Sequence, residues 1–213
     1  MRLIAAGKVA PFIIVGVDHP GKDRYRPYFP NNVPSTGLRA AIRAREGRLA
    51  GDAYLFFLAD ELKPMIDRTY RTRSQPRFTA VAGASMGGLI SLYALGERPD
   101  TFGRAAAVST HFALMDLARA DPMRDRILAD WRRWIGDRLG PPRGRRLWMD
   151  HGTATLDAGY APYQRPVDAE FARVGWRVGR DVSSRVYQGA AHEENVWAAR
   201  MDEIFTWLLL DWK

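Results

Sequence analysis

Gly83-Ala84-Ser85-Met86-Gly87 sets a serine between glycines two positions before and two after it. The apolar run FTAVAG leads in, and the small-residue helical pattern GGLISLYALG leads out. A serine on so sharp a strand-to-helix turn can serve as a nucleophile, its hydroxyl raised to the edge of a sheet. The N-terminus of the following helix then aims its positive end and free N–H groups at the reacting centre. The same five residues can also form a tight turn with no chemistry, so the reading depends on a base and an acid elsewhere.

The chain has four histidines, and each follows an apolar run: His19, His111, His151 and His192. His192 lies in YQGAAHEENVW, a small-residue loop between the last apolar run and the last helical pattern, downstream of any nucleophile and acid. Such a loop lets an imidazole turn between nucleophile and leaving group. The stretch LWMDHGTATLDAGY offers two carboxylates. Asp150 closes an apolar run, whereas Asp157 lies beyond a Gly-Thr turn with more freedom to reach a histidine. Asp157 could equally cap the helix that starts near Tyr160. The acid accepts the imidazole N–H, fixes its tautomer and stabilises the imidazolium. HEEN is not HExxH; no metal set is legible, and neither a metal nor a cofactor is expected.

These residues need elements to position them. PFIIVGV (11–17), RFTAVAG (77–83), GRAAAVST (103–110), RRLWMDHG (145–152) and SSRVYQG (183–189) read as strands, the first as a strand buried on both faces. Helical patterns fill the intervals: 52–70 with Asp52 as a cap and Pro64 as a kink, the segment that follows the serine turn, 116–139, 160–176 despite Pro166, and 193–212. The alternation predicts a three-layer α/β fold with a mostly parallel central sheet. Ligands gather at the carboxyl ends of such strands, where all four histidines fall. The chain reads as one domain, 1–213, with a cap-like insertion at about 112–142. There, Trp131 and Trp134 either wall an acyl or aromatic pocket or pack against the body of the domain. His111, Phe112 and Met115 are further candidates for the pocket. RYRPYFP (24–30) either orders a loop at the mouth or carries surface charge.

Hydrophobic residues make up 46% and charged residues 26% of the chain, as in an ordinary globular protein. There is no cysteine, which excludes disulfides and thiolate chemistry. The net charge is +8, with basic stretches at 39–48, 68–77 and 143–146, but acids are interspersed, as in LADELKPMIDRTYRTR. That reads as a solvated arginine-rich surface rather than a nucleic-acid face. The N-terminal apolar run is broken by Lys8 and Pro11 and lacks a cleavage site, so no signal peptide is read and a cytoplasmic location is expected. No run is long enough to span a membrane.

Taken together, GASMGGLISLYALGERPDTFGRAAAVS, DAYLFFLADELKPMIDRTYRT, LWMDHGTATLDAGYAPYQ and VYQGAAHEENVWAARMDEIFTWL resemble the putative esterase family of α/β-hydrolases. That family includes enterochelin, feruloyl and acetyl-xylan esterases, S-formylglutathione hydrolases and mycolyltransferases. The resemblance covers nearly the whole chain. It implies a serine esterase with Ser85 as nucleophile, His192 as base, Asp157 as acid and the Met86 N–H as an oxyanion donor. The implied substrate is a small-molecule or glycan-linked ester; an acyltransferase and a weakly active module are the alternatives. The resemblance further implies an earlier strand with a histidine- and glycine-containing loop that supplies a second oxyanion donor. No such stretch is legible, so the chain is expected to be N-terminally truncated. An open slot is then expected between PFIIVGV and FTAVAG, poorly stable and favouring self-association into a homo-oligomer.

Overall fold

A helix intervenes between every pair of consecutive strands, and parallel pairing follows from that connectivity. A computed structural model describes residues 2–212. Strands β1 (Ala80–Ala84), β2 (Arg104–Val108), β3 (Arg146–Gly152) and β4 (Val182–Tyr187) form a four-stranded parallel sheet in the order β1-β2-β3-β4. The register sets Gly83 opposite Ala107 and Val108 opposite Asp150. The helices, in chain order, are α1 (Arg2–Ala5), α2 (Thr36–Glu46), α3 (Gly51–Phe56), α4 (Lys63–Thr69), α5 (Met86–Glu97), α6 (Leu117–Ala120), α7 (Arg124–Trp134), α8 (Ala161–Arg173), α9 (Glu194–Ala199) and α10 (Met201–Leu208).

Side chains alternate across a strand, and that alternation sorts the core into two layers. Ala105, Ala107, Leu147 and Met149 join Leu89 and Tyr93 of α5, Trp131 of α7 and Phe171 of α8. Ala106, Val108 and Trp148 join Leu3 of α1 with Ile204 and Leu208 of α10. Each fully buried Leu or Ile contributes about 1.5–3 kcal/mol of transfer free energy. Helix α5 is buried without a break from Gly88 to Gly96, which explains why its sequence is apolar around the whole circumference. Between α3 and α4 the backbone passes through a π-turn, Phe57–Leu62, directly before Pro64. The missing proline N–H and its ring are accommodated there, so the expected kink is a local widening of one continuous helix.

The strand expected at 11–17 does not form. Residues 11–17 take no regular secondary structure and belong to no ladder, and Ile13, Ile14 and Val15 are 49%, 71% and 42% exposed. Phe12 packs on the α10 layer and Val17 on the α5 layer. What the segment lacks is a neighbour. On β1, the Ser85 N–H donates to the Val108 carbonyl and the Thr79 carbonyl accepts from Gly103. Odd-numbered residues of β1 therefore face β2. By the same parity Ala80, Ala82 and Ala84 turn their N–H and C=O groups to the far edge, where no backbone partner meets them among the described residues. Contraction of the sheet, with 11–17 pairing directly onto β1, is excluded. No helix among the described residues is long and apolar enough to cross a membrane.

Candidate active site

Ser85 closes β1 with φ 59° and ψ −119°, a left-handed conformation that costs a non-glycine residue on the order of 1–3 kcal/mol. Gly83 is needed there, because a Cβ on it would meet the backbone of Gly87 at 2.6 Å. The reverse is not so: a Cβ on Gly87 would meet nothing within 4 Å. Gly87 thus leaves open space over the helix start rather than relieving a clash. Gly88 is needed as well, because a Cβ on it would lie 2.6 Å from the Thr110 Oγ1. The Met86 N–H, first in α5, has no partner among the described residues.

His192 and Asp157 meet across two loops. The His192 Nδ1 lies 2.6 Å from Asp157 Oδ1, while Asp157 Oδ2 accepts from the Gly152 N–H at 2.6 Å and the Ser109 hydroxyl at 2.7 Å. Burial pushes the Asp157 carboxyl up, but the bonds from His192, Ser109 and Gly152 outweigh it and hold the group below its ordinary value. The two loops are stitched together. Thr155 Oγ1 accepts from the His192 N–H and Thr153 Oγ1 from the Gly189 N–H, each at 2.8 Å. The Ala190 carbonyl accepts from the N–H groups of Thr153 and Ala154. It comes so close to Gly152 that a Cβ there would lie 2.1 Å from it.

Asp150, the other candidate acid, turns away from His192. It accepts from Arg200 Nη2 at 2.6 Å, the Trp148 indole at 2.6 Å and the Ser109 N–H at 3.1 Å. Burial raises its carboxyl above the ordinary value against the pull of those donors. Every partner is a donor, so a proton on Asp150 would have no acceptor, and the group stands as the anion of a buried ion pair.

Two aromatic edges hold the His192 ring, Trp197 at 4.8 Å and Tyr160 at 5.6 Å between centroids. The Tyr160 phenol lies 2.8 Å from His111 Nδ1, and His111 Nε2 lies 2.7 Å from the Met115 carbonyl. A carbonyl can only accept, which assigns the proton to Nε2 and leaves Nδ1 to accept from Tyr160. Burial lowers His111 and favours this neutral form. Burial, with the charge of Asp157, pushes the Tyr160 phenol up, and the nearby Ser85 hydroxyl acts against that. His192 Nε2 makes no hydrogen bond among the described residues.

The structure thus pairs His192 with Asp157, joins His111 to Tyr160 beside the His192 ring and sets Ser85 near Tyr160, all of them following the carboxyl ends of parallel strands; no hydrogen bond links Ser85 to His192 among the described residues. It does not bring Phe112, Trp131 or Trp134 to an open surface. All three are about 1% exposed or less. Trp131 donates to the Phe112 carbonyl, and Trp134 donates to Glu97 and fits over Gly96, where a Cβ would meet its ring at 2.5 Å. Of the two roles open to these tryptophans in the sequence, the structure displays packing. His19 is exposed, and the His151 Nδ1 binds the Gly152 carbonyl. Ser109, Thr155, Tyr160 and Arg200 carry no sequence signal of their own; the hydrogen-bond partners of their side chains lie 37 to 91 residues away, joined only by the fold.

The family model described as Putative esterase matches residues 1–208. The chain belongs to this family. It is 27% identical over 163 residues to the iron(III) enterobactin esterase of Dickeya dadantii (strain 3937), covering 74% of this chain and 35% of that protein. It is 25% identical over 103 residues to the uncharacterized protein YbbA of Bacillus subtilis (strain 168), covering 48% and 38%. The chain therefore spans well under half the length of these two relatives. Among solved structures, the enterobactin esterase FES of Shigella flexneri superposes with TM-score 0.69 at 17% identity, over 97% of this chain and 46% of that one. A ferulic acid esterase gives 0.57 at 16% identity, over 98% and 74%. At such identities the likeness concerns the fold, which is of the α/β-hydrolase type.

Proposed function

We propose that this putative-esterase chain hydrolyses carboxylic esters through Ser85, His192 and Asp157 and an acyl-enzyme intermediate. The observation that carries the reading is the 2.6 Å Asp157–His192 pair beside a serine held at φ 59° on a strand-to-helix turn. The Ser85 hydroxyl swings from Tyr160 toward His192 Nε2, gives its proton there and attacks the ester carbonyl carbon. The negative oxygen that forms faces the Met86 N–H. Collapse breaks the ester C–O bond, the alcohol leaves with the proton from His192, and the acyl group remains on Ser85. Water then repeats the cycle from the other side, giving its proton to His192 and releasing the acid and the serine. The names of the relatives offer enterobactin and a feruloyl ester, among small-molecule and glycan-linked esters, as the first substrates to try.

The unpaired far edge of β1 supports a second reading, a weakly active hydrolase. A second oxyanion donor would come from that side, and losing one such donor costs about a hundred- to a thousand-fold in rate. Turnover of p-nitrophenyl acetate and of a feruloyl ester, with Ser85→Ala as the control, tests both. Turnover that Ser85→Ala abolishes supports the serine mechanism, and its size ranks the two readings. Turnover unchanged in Ser85→Ala overturns both.

A further inference from the structure

Ser109 ends β2 at φ 41° and is fully buried. Its hydroxyl is saturated. A serine oxygen has two lone pairs and one proton. The Trp197 Nε1–H at 3.0 Å and the Arg200 Nη2–H at 2.8 Å can only donate, so they fill the lone pairs. The proton is left with one acceptor, Asp157 Oδ2 at 2.7 Å. Its direction is fixed by that count rather than by choice of rotamer. The backbone N–H of the same residue donates to Asp150, so Ser109 touches both carboxylates of the site loop.

Arg200 is the unusual member. It is 5% exposed, it shares Nη2 between Asp150 and Ser109, and its Nε and Nη1 have no hydrogen-bond partner. Its guanidinium lies over the Tyr187 ring at 4.7 Å. A half-satisfied buried cation is a poor way to stabilise a fold, since apolar replacements of such pairs are often neutral or better. Its placement makes sense as a fixed positive charge one hydroxyl away from Asp157.

We propose that Arg200 and Ser109 are positioning residues for the reaction: the Arg200–Asp150 pair locks the Ser109 hydroxyl, and that hydroxyl orients Asp157 and draws charge from it, setting how tightly Asp157 holds the His192 imidazolium. This rests on the Ser85–His192–Asp157 reading. Removing the hydroxyl leaves Asp157 Oδ2 with the Gly152 N–H alone, concentrating charge on the carboxylate. The imidazolium is then held more tightly and persists to higher pH, where it cannot accept the serine proton. Other groups face this pair. Tyr160 and Trp197 flank His192, His111 interacts with both His192 and Asp157, Asp150 repels Asp157, and Glu193 and Glu194 adjoin His192 in the chain. Of these, Trp197 alone is touched by a change confined to the Ser109 side chain, because its indole N–H loses its acceptor.

The test is the pH dependence, from 5 to 9, of kcat/KM on p-nitrophenyl acetate and of the rate of fluorophosphonate labelling. Wild type is compared with Ser109→Gly, Ser109→Ala and Arg200→Lys. Glycine suits φ 41°, so Ser109→Gly relieves backbone strain while deleting the hydroxyl; alanine deletes it and keeps the strain. The two variants should melt at different temperatures yet share one shift, the acid limb moving up by about half a pH unit or more and the rate at pH 6 falling several-fold. Arg200→Lys keeps the charge and should fall between them and wild type. Wild-type pH profiles in both serine variants overturn the proposal, as does a shift that tracks melting temperature instead of the hydroxyl. A wild type with no acid limb, or labelling that survives Ser85→Ala, overturns the underlying triad reading and this proposal with it.

Discussion

Ser85 has two unlike flanks. On one, Gly152, Ser109, Trp197, Arg200 and Asp150 form a connected chain of donors and acceptors behind His192, with Arg200 Nε and Nη1 alone unpaired in it. On the other, Ala80, Ala82 and Ala84 end in an unpaired edge, and Ile13, Ile14 and Val15 stand in water. The difference teaches where rigidity is placed. The proposed base and acid are over-determined, whereas the far edge of β1 meets no backbone partner among the described residues.

Breaking the first flank should have the largest effect. Asp157→Asn keeps the shape but lets His192 adopt the wrong tautomer; kcat on p-nitrophenyl acetate should fall by about 10⁴. A fall of under tenfold would leave Asp157 with a structural role only, tying Gly152 and Ser109 together. Stability should separate the two flanks next. Leu89→Ala, in the α5 layer, should cost about 2–5 kcal/mol in urea unfolding. Ile14→Ala, 71% exposed, should stay within about 0.5 kcal/mol; equal costs would mean that 11–17 is packed after all. A smaller effect concerns association. Ile13→Thr with Ile14→Thr should reduce concentration-dependent self-association in sedimentation, because the edge and its apolar neighbour offer a strand template. Unchanged sedimentation would clear that flank of any such role.

The smallest effect is a pH dependence. The folded-state pKa of Asp157 is depressed, so its contribution is present above its unfolded value and is lost as pH falls through the folded one. The difference in melting temperature between wild type and Asp157→Asn should therefore shrink below about pH 4. A difference that grows on acidification would reverse the sign of the argument.

The sequence made the sheet legible where neighbours exist. β2 and β3 read as short apolar runs because both faces are covered, and Ser85 read as a turn because Gly83 cannot bear a Cβ. PFIIVGV read as a strand for the same reason and failed, since hydropathy records what a segment would bury against, not whether that partner is present. Asp150 and Asp157 could not be separated by spacing. What separates them is Arg200, 50 residues from Asp150 along the chain, and nothing local announces it. Trp131 and Trp134 showed the limit from the other side: two aromatics close together on an amphipathic helix left a pocket wall and core packing both open, and Gly96 and Phe112 draw them into the core.

The central claim is that Ser85 is an activated nucleophile, and intact-mass analysis after fluorophosphonate treatment tests it most directly. The account predicts a single adduct on Ser85, absent in Ser85→Ala and much slower to form in His192→Ala. No adduct on the wild-type protein, or one that persists in Ser85→Ala, would contradict it.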